Sequence, residues 1–172
     1  MFLSRLQLSN FKNYETCDLL FSGNVNCIVG HNGVGKTNLL DAIYYLSFCK
    51  SYFNNIDSQS IRHGADFFAI HGTYSEEEEM AVSCVLKKGS SKQIKCNNKI
   101  CSSFAEHIGR IPLVMVSPYD QQLVQGGSED RRKFIDGVIS QTNRNYLHQL
   151  LQYQKVVEQR NKLLKQFWTF II

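Results

Sequence analysis

One glycine-rich turn restricts the possible folds of this chain more than any other feature: Gly30-His31-Asn32-Gly33-Val34-Gly35-Lys36-Thr37. It satisfies the pattern G-x-x-x-x-G-K-[S/T] at every fixed position. The apolar segment NVNCIVG leads into it and predicts a β-strand, whereas Lys36 to Ser47 carries apolar side chains at helical spacing. A strand, a glycine-rich turn and a helix in this order are typical of a phosphate-binding loop.

The glycines explain why such a turn can hold an anion. Glycine accepts backbone conformations that other residues avoid, so successive N–H groups converge on phosphate oxygens at the beginning of a helix. Lys36 is expected to reach the β- and γ-phosphates, and the Thr37 hydroxyl to ligate Mg²⁺. The alternative is a tight connection without a ligand. We predict a site for ATP and Mg²⁺ that contains Gly30, His31, Asn32, Gly33, Val34, Gly35, Lys36 and Thr37.

The remaining pattern predicts an α/β chain with an antiparallel β segment. FLSRLQL and CDLLF are typical of strands, and residues 56–101 form short apolar runs separated by Gly, Asn and acidic turns. The continuous apolar run IPLVMVSP predicts a strand buried on both faces. Ser128 is expected to cap a helix beginning EDRRKFID, and a last helix is expected from Asn143 to about Lys165.

Composition and charge narrow the function classes. With 172 residues, 43% hydrophobic and 20% charged, the chain is typical of a soluble domain, and its apolar runs are too short to span a membrane. We therefore expect a cytoplasmic protein without a membrane partner. Residues 87–172 hold fourteen Lys or Arg against six Asp or Glu, and this excess of positive charge favours binding to nucleic acid.

The six cysteines show no C-x-x-C pair, so we expect free and mostly buried thiols rather than disulfides or a metal site. Cys96 and Cys101 are the best candidates for such a site. However, Asn97-Asn98 between them predicts a hairpin turn.

Hydrolysis of a nucleotide requires an acidic residue in addition to the phosphate-binding loop. Asp120 follows the run IPLVMVSP, but Pro118 ends that run earlier and no glutamate follows Asp120. The run is therefore not interpreted as a Walker B strand. The segment instead resembles the one that, in two-lobed head ATPases, follows the antiparallel subdomain and contacts Mg²⁺ or the attacking water. This resemblance makes Asp120 and Gln121 the catalytic candidates, and a plain turn is the alternative.

Several segments together resemble the amino-terminal half of the RecF family. They are LQLSNFKNY, the glycine-rich turn with its flanking residues, SPYDQQLVQGGSEDRRKFID and YQKVVEQRNKLLK. Members of this family are bacterial ATPases of DNA replication and recombination repair, with heads similar to those of SMC proteins. The resemblance extends to about residue 166. It implies the P-loop NTPase fold of an ABC- or SMC-like head, first lobe, with an antiparallel β subdomain.

The resemblance also implies roles for residues outside the P-loop. Lys12 and Asn13 of NFKNY match a segment that contacts nucleotide phosphates, with a surface turn as the alternative. Arg131 and Arg132 match an Arg-Arg pair that either contacts DNA or holds its helix against Asp136 and the core.

Three features depart from the family. Phe53 stands where an arginine is common, which predicts the loss of a basic contact, and Tyr119 stands where an acidic residue is common. Family members are also about twice as long, with a helical arm and a returning lobe that carries the signature and Walker B motifs. We expect residues 1–142 to form the nucleotide-binding lobe, with its antiparallel insertion at about 56–101, and residues 143–172 to begin the arm.

The resemblance implies an ATP-binding lobe of a DNA repair and recombination mediator. In such proteins ATP drives homodimerisation of the heads and DNA binding, and slow, DNA-dependent hydrolysis reverses both. Junctions of single- and double-stranded DNA, RecR and RecO are the implied partners. One alternative is a stand-alone nucleotide-binding adaptor without hydrolysis, which the missing motifs favour. Another is a small P-loop kinase, which the antiparallel segment and the Arg-Arg pair oppose.

Overall fold

The computed structural model describes residues 1–76 and 78–169. They form two compact units, Met1–Leu113 and a second unit that begins at Val114. In the first unit, six strands make one antiparallel sheet in the order β2-β1-β3-β4-β5-β6. The strands are β1 (Phe2–Phe11), β2 (Tyr14–Leu20), β3 (Phe67–Ser75), β4 (Met80–Lys87), β5 (Gln93–Cys96) and β6 (Lys99–Ile100).

The same unit contains two helices and one short 3-10 turn. They are α1 (Lys36–Phe48), the 3-10 turn Asp57–Ser60 and α2 (Phe104–His107). The antiparallel segment predicted at residues 56–101 supplies β3 to β6, and it continues without a break into the sheet formed by β1 and β2. Helix α1, which follows the P-loop, contacts β1, β3 and β4. These contacts fix it against the sheet.

The sheet buries one of its two faces. In β1, β3 and β4 alternate residues are buried and include Leu6, Leu8, Phe68, Ile70 and Val82, as the period of a strand requires. The rings of Phe11, Tyr45 and Phe68 pack edge to face, with centroids 5.4–6.0 Å apart. Burial of these side chains is the main force that holds α1 on the sheet.

Gly72 of β3 allows α1 to approach closely. A Cβ atom placed on this glycine would lie 2.4 Å from Cδ1 of Leu46 in α1, which is far inside van der Waals contact. Leu46 is fully buried. The absence of a side chain at residue 72 therefore sets the distance between helix and sheet at this point.

The hairpin predicted at Asn97-Asn98 is confirmed. Asn97 and Asn98 both have positive φ, 47° and 64°, and connect β5 to β6, with Cys96 opposite Lys99. All six cysteines are free, as expected, although only Cys49, Cys84 and Cys96 are buried and Cys27 is exposed. No described helix is long and apolar enough to cross a membrane.

Two strand predictions are wrong. The structure assigns no strand to NVNCIVG or to IPLVMVSP, and Val25, Val29, Val114 and Val116 are between 74% and 92% exposed. An extended segment becomes a strand only when a neighbouring strand satisfies its backbone N–H and C=O groups. Among the described residues, each strand pairs within the six-stranded antiparallel sheet, and none pairs with these two segments.

The second unit is helical. It contains the 3-10 turn Pro118–Gln121, α3 (Gln122–Gln125), α4 (Ser128–Thr142) and α5 (Arg144–Thr169). The Oδ1 of Asn143 accepts a hydrogen bond from the Tyr146 N–H at 3.0 Å, so α5 begins where the sequence predicted. The prediction that Ser128 caps α4 is wrong. Gly127 occupies the cap position, and the Ser128 hydroxyl instead accepts a hydrogen bond from Arg132.

Candidate nucleotide-binding site

The predicted phosphate-binding residues form a loop that ends at the first turn of α1. Gly33 and Gly35 have φ of 86° and 106°, in the left-handed region that favours glycine. Gly35 is the N-cap of α1, and its carbonyl accepts the first helical hydrogen bond, from the Leu39 N–H at 3.0 Å. Because the cap has no side-chain partner, the first N–H groups of α1 are left for a ligand.

The Lys36 ammonium lies across this loop. Its Nζ donates to the carbonyl oxygens of Gly30 at 2.7 Å and His31 at 2.8 Å. A lysine ammonium has three donors, so one remains for an anion. The Lys36 ammonium and the first N–H groups of α1 therefore lie together at this loop, as the sequence predicted.

A depression of about 260 Å³ marks the surface at this point. It is lined by Asn32, Gly33, Gly35, Lys36, Thr37 and Asn38. Of these residues, Asn32, Gly33 and Thr37 are exposed. An open, polar depression of this size at a helix N-terminus can hold phosphate groups.

The Thr37 side chain gives the site a hard oxygen donor, which suits Mg²⁺. The described residues contain no group of three or more His, Cys, Asp or Glu side chains that could hold a metal ion by themselves. Because Mg²⁺ usually keeps several waters and is bound through few protein oxygens and the substrate phosphates, the chain fits the ion when a nucleotide accompanies it.

Lys12 lies at the turn between β1 and β2 and points to α1. Its Nζ is 2.6 Å from Oδ2 of Asp41, and the exposed fractions of the two side chains are 10% and 0%. Asp41 also accepts hydrogen bonds from the Ser51 hydroxyl and the Tyr52 N–H, each at 2.7 Å. The Asp41 carboxylate, which the sequence analysis missed, therefore receives three donors. Nothing in its sequence position in the middle of a helix indicates this role.

The Phe53 ring lies beside the same ammonium, 5.6 Å from the Lys12 Nζ. The ring of Phe11 lies 5.8 Å from that atom. An aromatic face attracts a cation, so Phe53 supports Lys12 at the position where the resemblance suggested an arginine.

Asn13 contacts the backbone of the P-loop. Its Nδ2 donates to the Val34 carbonyl at 2.9 Å, and its Oδ1 accepts from Nδ2 of Asn38 at 2.8 Å. The Tyr14 hydroxyl donates to the Gly35 carbonyl at 3.2 Å. Asn38 and Tyr14 were not predicted as site residues, although each is the direct neighbour in sequence of a residue that was.

The catalytic candidates lie in the second unit. Asp120 and Gln121 belong to the 3-10 turn Pro118–Gln121, where the Asp120 carboxylate accepts a hydrogen bond from the Ser117 N–H. This bond is typical of an aspartate that caps a turn. The contact of these residues with Mg²⁺ or water stays a prediction.

Arg131 and Arg132 are both exposed near the beginning of α4. Arg131 donates to the carbonyls of Gly126 at 3.1 Å and Leu123 at 3.4 Å. Arg132 donates to the carbonyl and hydroxyl of Ser128. Arg131 thus contacts the segment that precedes α4, and Arg132 contacts the first residue of α4.

A contact with Asp136 was one of the two alternatives for the Arg-Arg pair, and among the described residues no hydrogen bond or ion pair joins Asp136 to Arg131 or Arg132. The Asp136 carboxylate accepts a hydrogen bond from the Tyr146 hydroxyl instead, at 2.5 Å. This bond raises the pKa of Tyr146 and joins α4 to α5. Both guanidinium groups remain at the surface.

A second cavity, of about 400 Å³, lies beside the turn between β4 and β5. Its one buried cation, Lys92, is 2.5 Å from the Asp57 carboxylate, which also accepts a hydrogen bond from Tyr45. The pKa of Tyr45 is raised, mainly by burial and secondly by this hydrogen bond. Because the charge of Lys92 is neutralised, this cavity is a weaker candidate for a phosphate site than the P-loop.

Comparison with known proteins assigns the chain to a family. Residues 2–109 match the family described as RecF/RecN/SMC N terminal domain. The chain is 53% identical over 167 residues to the DNA replication and repair protein RecF of Bacteroides thetaiotaomicron, and 51% identical over 168 residues to that of Flavobacterium johnsoniae. These matches cover 96–97% of this chain but 45–47% of the relatives, so the chain spans about half their length.

Solved structures agree with this assignment. The structure of the recombination mediator protein RecF with ATP, from the RecFOR pathway, is 34% identical and superimposes with a TM-score of 0.88, over 96% of this chain and 45% of that one. An SMC ATPase structure that is 19% identical, with a TM-score of 0.65, covers 80% of this chain and shares its fold. The predicted P-loop NTPase fold and the resemblance are both confirmed, and the chain belongs to the RecF/RecN/SMC N-terminal domain family, with RecF proteins among its relatives.

Proposed function

We propose that this chain is the ATP-binding lobe of a RecF-type DNA repair and recombination ATPase, and that Gly30–Thr37 hold the nucleotide phosphates. The observation that carries the proposal is the Lys36 ammonium, which lies over a loop with positive-φ glycines at the N-terminus of α1. The RecF structure solved with ATP supports ATP as the nucleotide. The Thr37 hydroxyl binds Mg²⁺ together with the phosphates.

Lys12 belongs to the same proposal. Two of its three ammonium donors remain after the contact with Asp41, and its side chain is 10% exposed. A nucleotide phosphate bound beside the β1–β2 turn gains a second cation from it. Asp41 holds the ammonium in place.

The activity of the whole protein is a wider proposal, because the chain spans about half the length of its relatives. Residues 1–142 form the lobe and α5 begins the helical arm, in our interpretation. ATP drives homodimerisation and binding to DNA, near junctions of single and double strands, and RecR and RecO are the protein partners in the cytoplasm. The remaining length supplies the signature and Walker B residues. Asp120 and Gln121 contact Mg²⁺ or the attacking water.

The 172-residue chain alone therefore binds nucleotide with little turnover, because phosphoryl transfer requires Mg²⁺ ligands, a positioned water and charge neutralisation together. A stand-alone adaptor and a small kinase are less favoured, because the similarity to RecF extends over 96% of the chain. Phosphate release, measured with and without DNA and beside phosphoryl transfer to nucleosides, separates the three functions.

Substitution of Lys36 tests the site. Lys36→Ala removes a charged donor to phosphate and should weaken binding of a fluorescent ATP analogue on the order of 100-fold, with unchanged circular dichroism. Thr37→Val should instead remove the dependence of affinity on Mg²⁺, because a methyl group cannot ligate this cation. Unchanged affinity of Lys36→Ala would refute the assignment of the loop.

DNA binding through α4 is tested by reversing both exposed charges, Arg131→Glu with Arg132→Glu. If both side chains contact DNA phosphates, the slope of log affinity against log salt should fall by about two. A matched control, Lys50→Glu with Lys99→Glu, changes the net charge equally at exposed positions elsewhere. Equal losses in the two double variants would mean that net charge alone matters.

A further inference from the structure

Side chains of the turn between β1 and β2 make hydrogen bonds to the backbone of the P-loop. The Asn13 carboxamide makes one hydrogen bond to the Val34 carbonyl and one to the Asn38 side chain, at 2.9 and 2.8 Å. The Tyr14 hydroxyl reaches the Gly35 carbonyl at 3.2 Å. Two successive carbonyl groups of the loop are therefore fixed by two successive side chains of the turn.

Asn13 also occupies the space beside the Gly35 Cα. A Cβ atom on Gly35 would lie 2.5 Å from the Asn13 Nδ2 and 2.6 Å from its Oδ1. The carboxamide thus packs directly on the residue whose φ of 106° ends the loop and begins α1. Such contact restricts the rotation of the peptide groups on both sides of Gly35, and these groups carry the Gly35 and Lys36 N–H donors.

The backbone of the turn is itself in an unfavourable conformation. Asn10 and Lys12 have φ of 51° and 52°, and a lysine in this region costs on the order of 1 kcal/mol. The surroundings compensate, because the Lys12 N–H donates to the Ser60 carbonyl at 2.8 Å and its ammonium binds Asp41. This conformation places the side chains of Lys12 and Asn13 on α1 and on the P-loop, respectively.

We propose that Asn13 is a positioning residue, which holds the backbone of Val34, Gly35 and Lys36 in the phosphate-binding conformation, and that Asn38 acts through it. This inference rests on the proposed nucleotide site and revises the role that the resemblance implied for Asn13. The Oδ1 is occupied by Asn38 and one Nδ2–H by the loop, so the carboxamide is committed to the protein before any nucleotide binds.

Affinity measurements on single and double variants test the proposal. Asn13→Ala and Asn38→Ala should each weaken binding of a fluorescent ATP analogue about ten-fold, and the double variant should be no weaker than Asn13→Ala alone. The unfolding temperature without nucleotide should match that of Asn24→Ala, an exposed asparagine that serves as the control. A direct phosphate ligand would be insensitive to the loss of Asn38.

The amide spectrum of the nucleotide-free chain gives an independent measurement. In both alanine variants the ¹⁵N–¹H resonances of Gly35 and Lys36 should move, whereas in Asn24→Ala they should not. Unmoved resonances would overturn the proposal even if affinity falls, as would full affinity in Asn13→Ala or a parallel fall of unfolding temperature and affinity. If the unsubstituted chain binds no nucleotide, the proposed function fails, and the spectrum alone decides whether Asn13 positions the loop.

Discussion

Strand β4 and the segment Asn24–Gly30 have similar sequences and opposite environments. Both contain valines around a central cysteine, yet Val82 of β4 is 2% exposed, whereas Val25 and Val29 are 92% and 82% exposed. The difference lies in pairing. Strand β4 has β3 and β5 as neighbours, and no described strand pairs with the segment before the P-loop.

The second unit also contains an apolar segment that is exposed because it has no paired strand within the part of the chain that the structure describes. Val114 and Val116 are 74% and 81% exposed in a run that the sequence predicted to be a buried strand. Local preference makes a segment extended, but burial requires the correct neighbour. Among the described residues neither segment has such a neighbour.

The largest expected effect concerns a buried charge, because the free-energy cost of burying a charge also depends on whether it has a partner. Lys12→Ala leaves the Asp41 carboxylate buried without its cation and should lower the free energy of unfolding by about 3–5 kcal/mol. Arg5 and Asp18 form a pair at 2.6 Å, but both side chains are about half exposed. Arg5→Ala should therefore cost about 0.2–1 kcal/mol. Urea unfolding of both variants measures the difference, and equal costs would contradict our account.

A valine-to-alanine substitution, made once in β4 and once in the segment before the P-loop, should give the next largest difference in stability. Val82→Ala removes buried methyl groups from a packed core and should cost about 2 kcal/mol. Val29→Ala removes exposed methyl groups and should change stability by about 0.5 kcal/mol or less. Denaturant unfolding of the two variants is the measurement. A large loss in Val29→Ala would mean that this segment is packed in solution.

The smallest expected effect concerns a buried histidine of the first unit. His107 is fully buried and its Nε2 is 2.6 Å from the Leu46 carbonyl oxygen; burial holds its pKa below the ordinary value of 6.5. Because the unfolded chain binds the proton more readily, stability should be constant above this value and should fall at lower pH. The slope approaches about 1.4 kcal/mol per pH unit.

His107→Gln should flatten this dependence between pH 7 and pH 5, because glutamine can keep a donor to the carbonyl but cannot take up a proton. The control is His63→Gln, which changes an exposed histidine of the same unit. Thermal unfolding at several pH values compares them. If His107→Gln keeps the full slope, the acid sensitivity belongs to other groups.

The sequence predicted those parts of the molecule that depend on local order. The P-loop pattern, helix α1, the hairpin at Asn97-Asn98 and helix α5 all appear where expected, because each follows from the conformational preference of a few adjacent residues. Membership of the family was also predictable. It depended on several motifs at fixed spacing.

The remaining features depend on residues that are distant in sequence. The contact of Asn13 with Val34 joins positions 21 residues apart, and the ion pair of Lys12 with Asp41 joins positions that are still further apart. No local pattern specifies which side chain meets which. For the same reason the resemblance identified Lys12 and Asn13 as important residues but did not describe their protein contacts.

The close approach of Gly72 to Leu46 has a consequence for the natural variation of this family. Since a Cβ at residue 72 would lie only 2.4 Å from the Leu46 Cδ1 and clash with it, the side chains at the two positions compete for one fixed volume. A relative with alanine or serine at the first position should carry a smaller side chain at the second. An alignment of many relatives should therefore show these two positions changing together, in opposite directions of size.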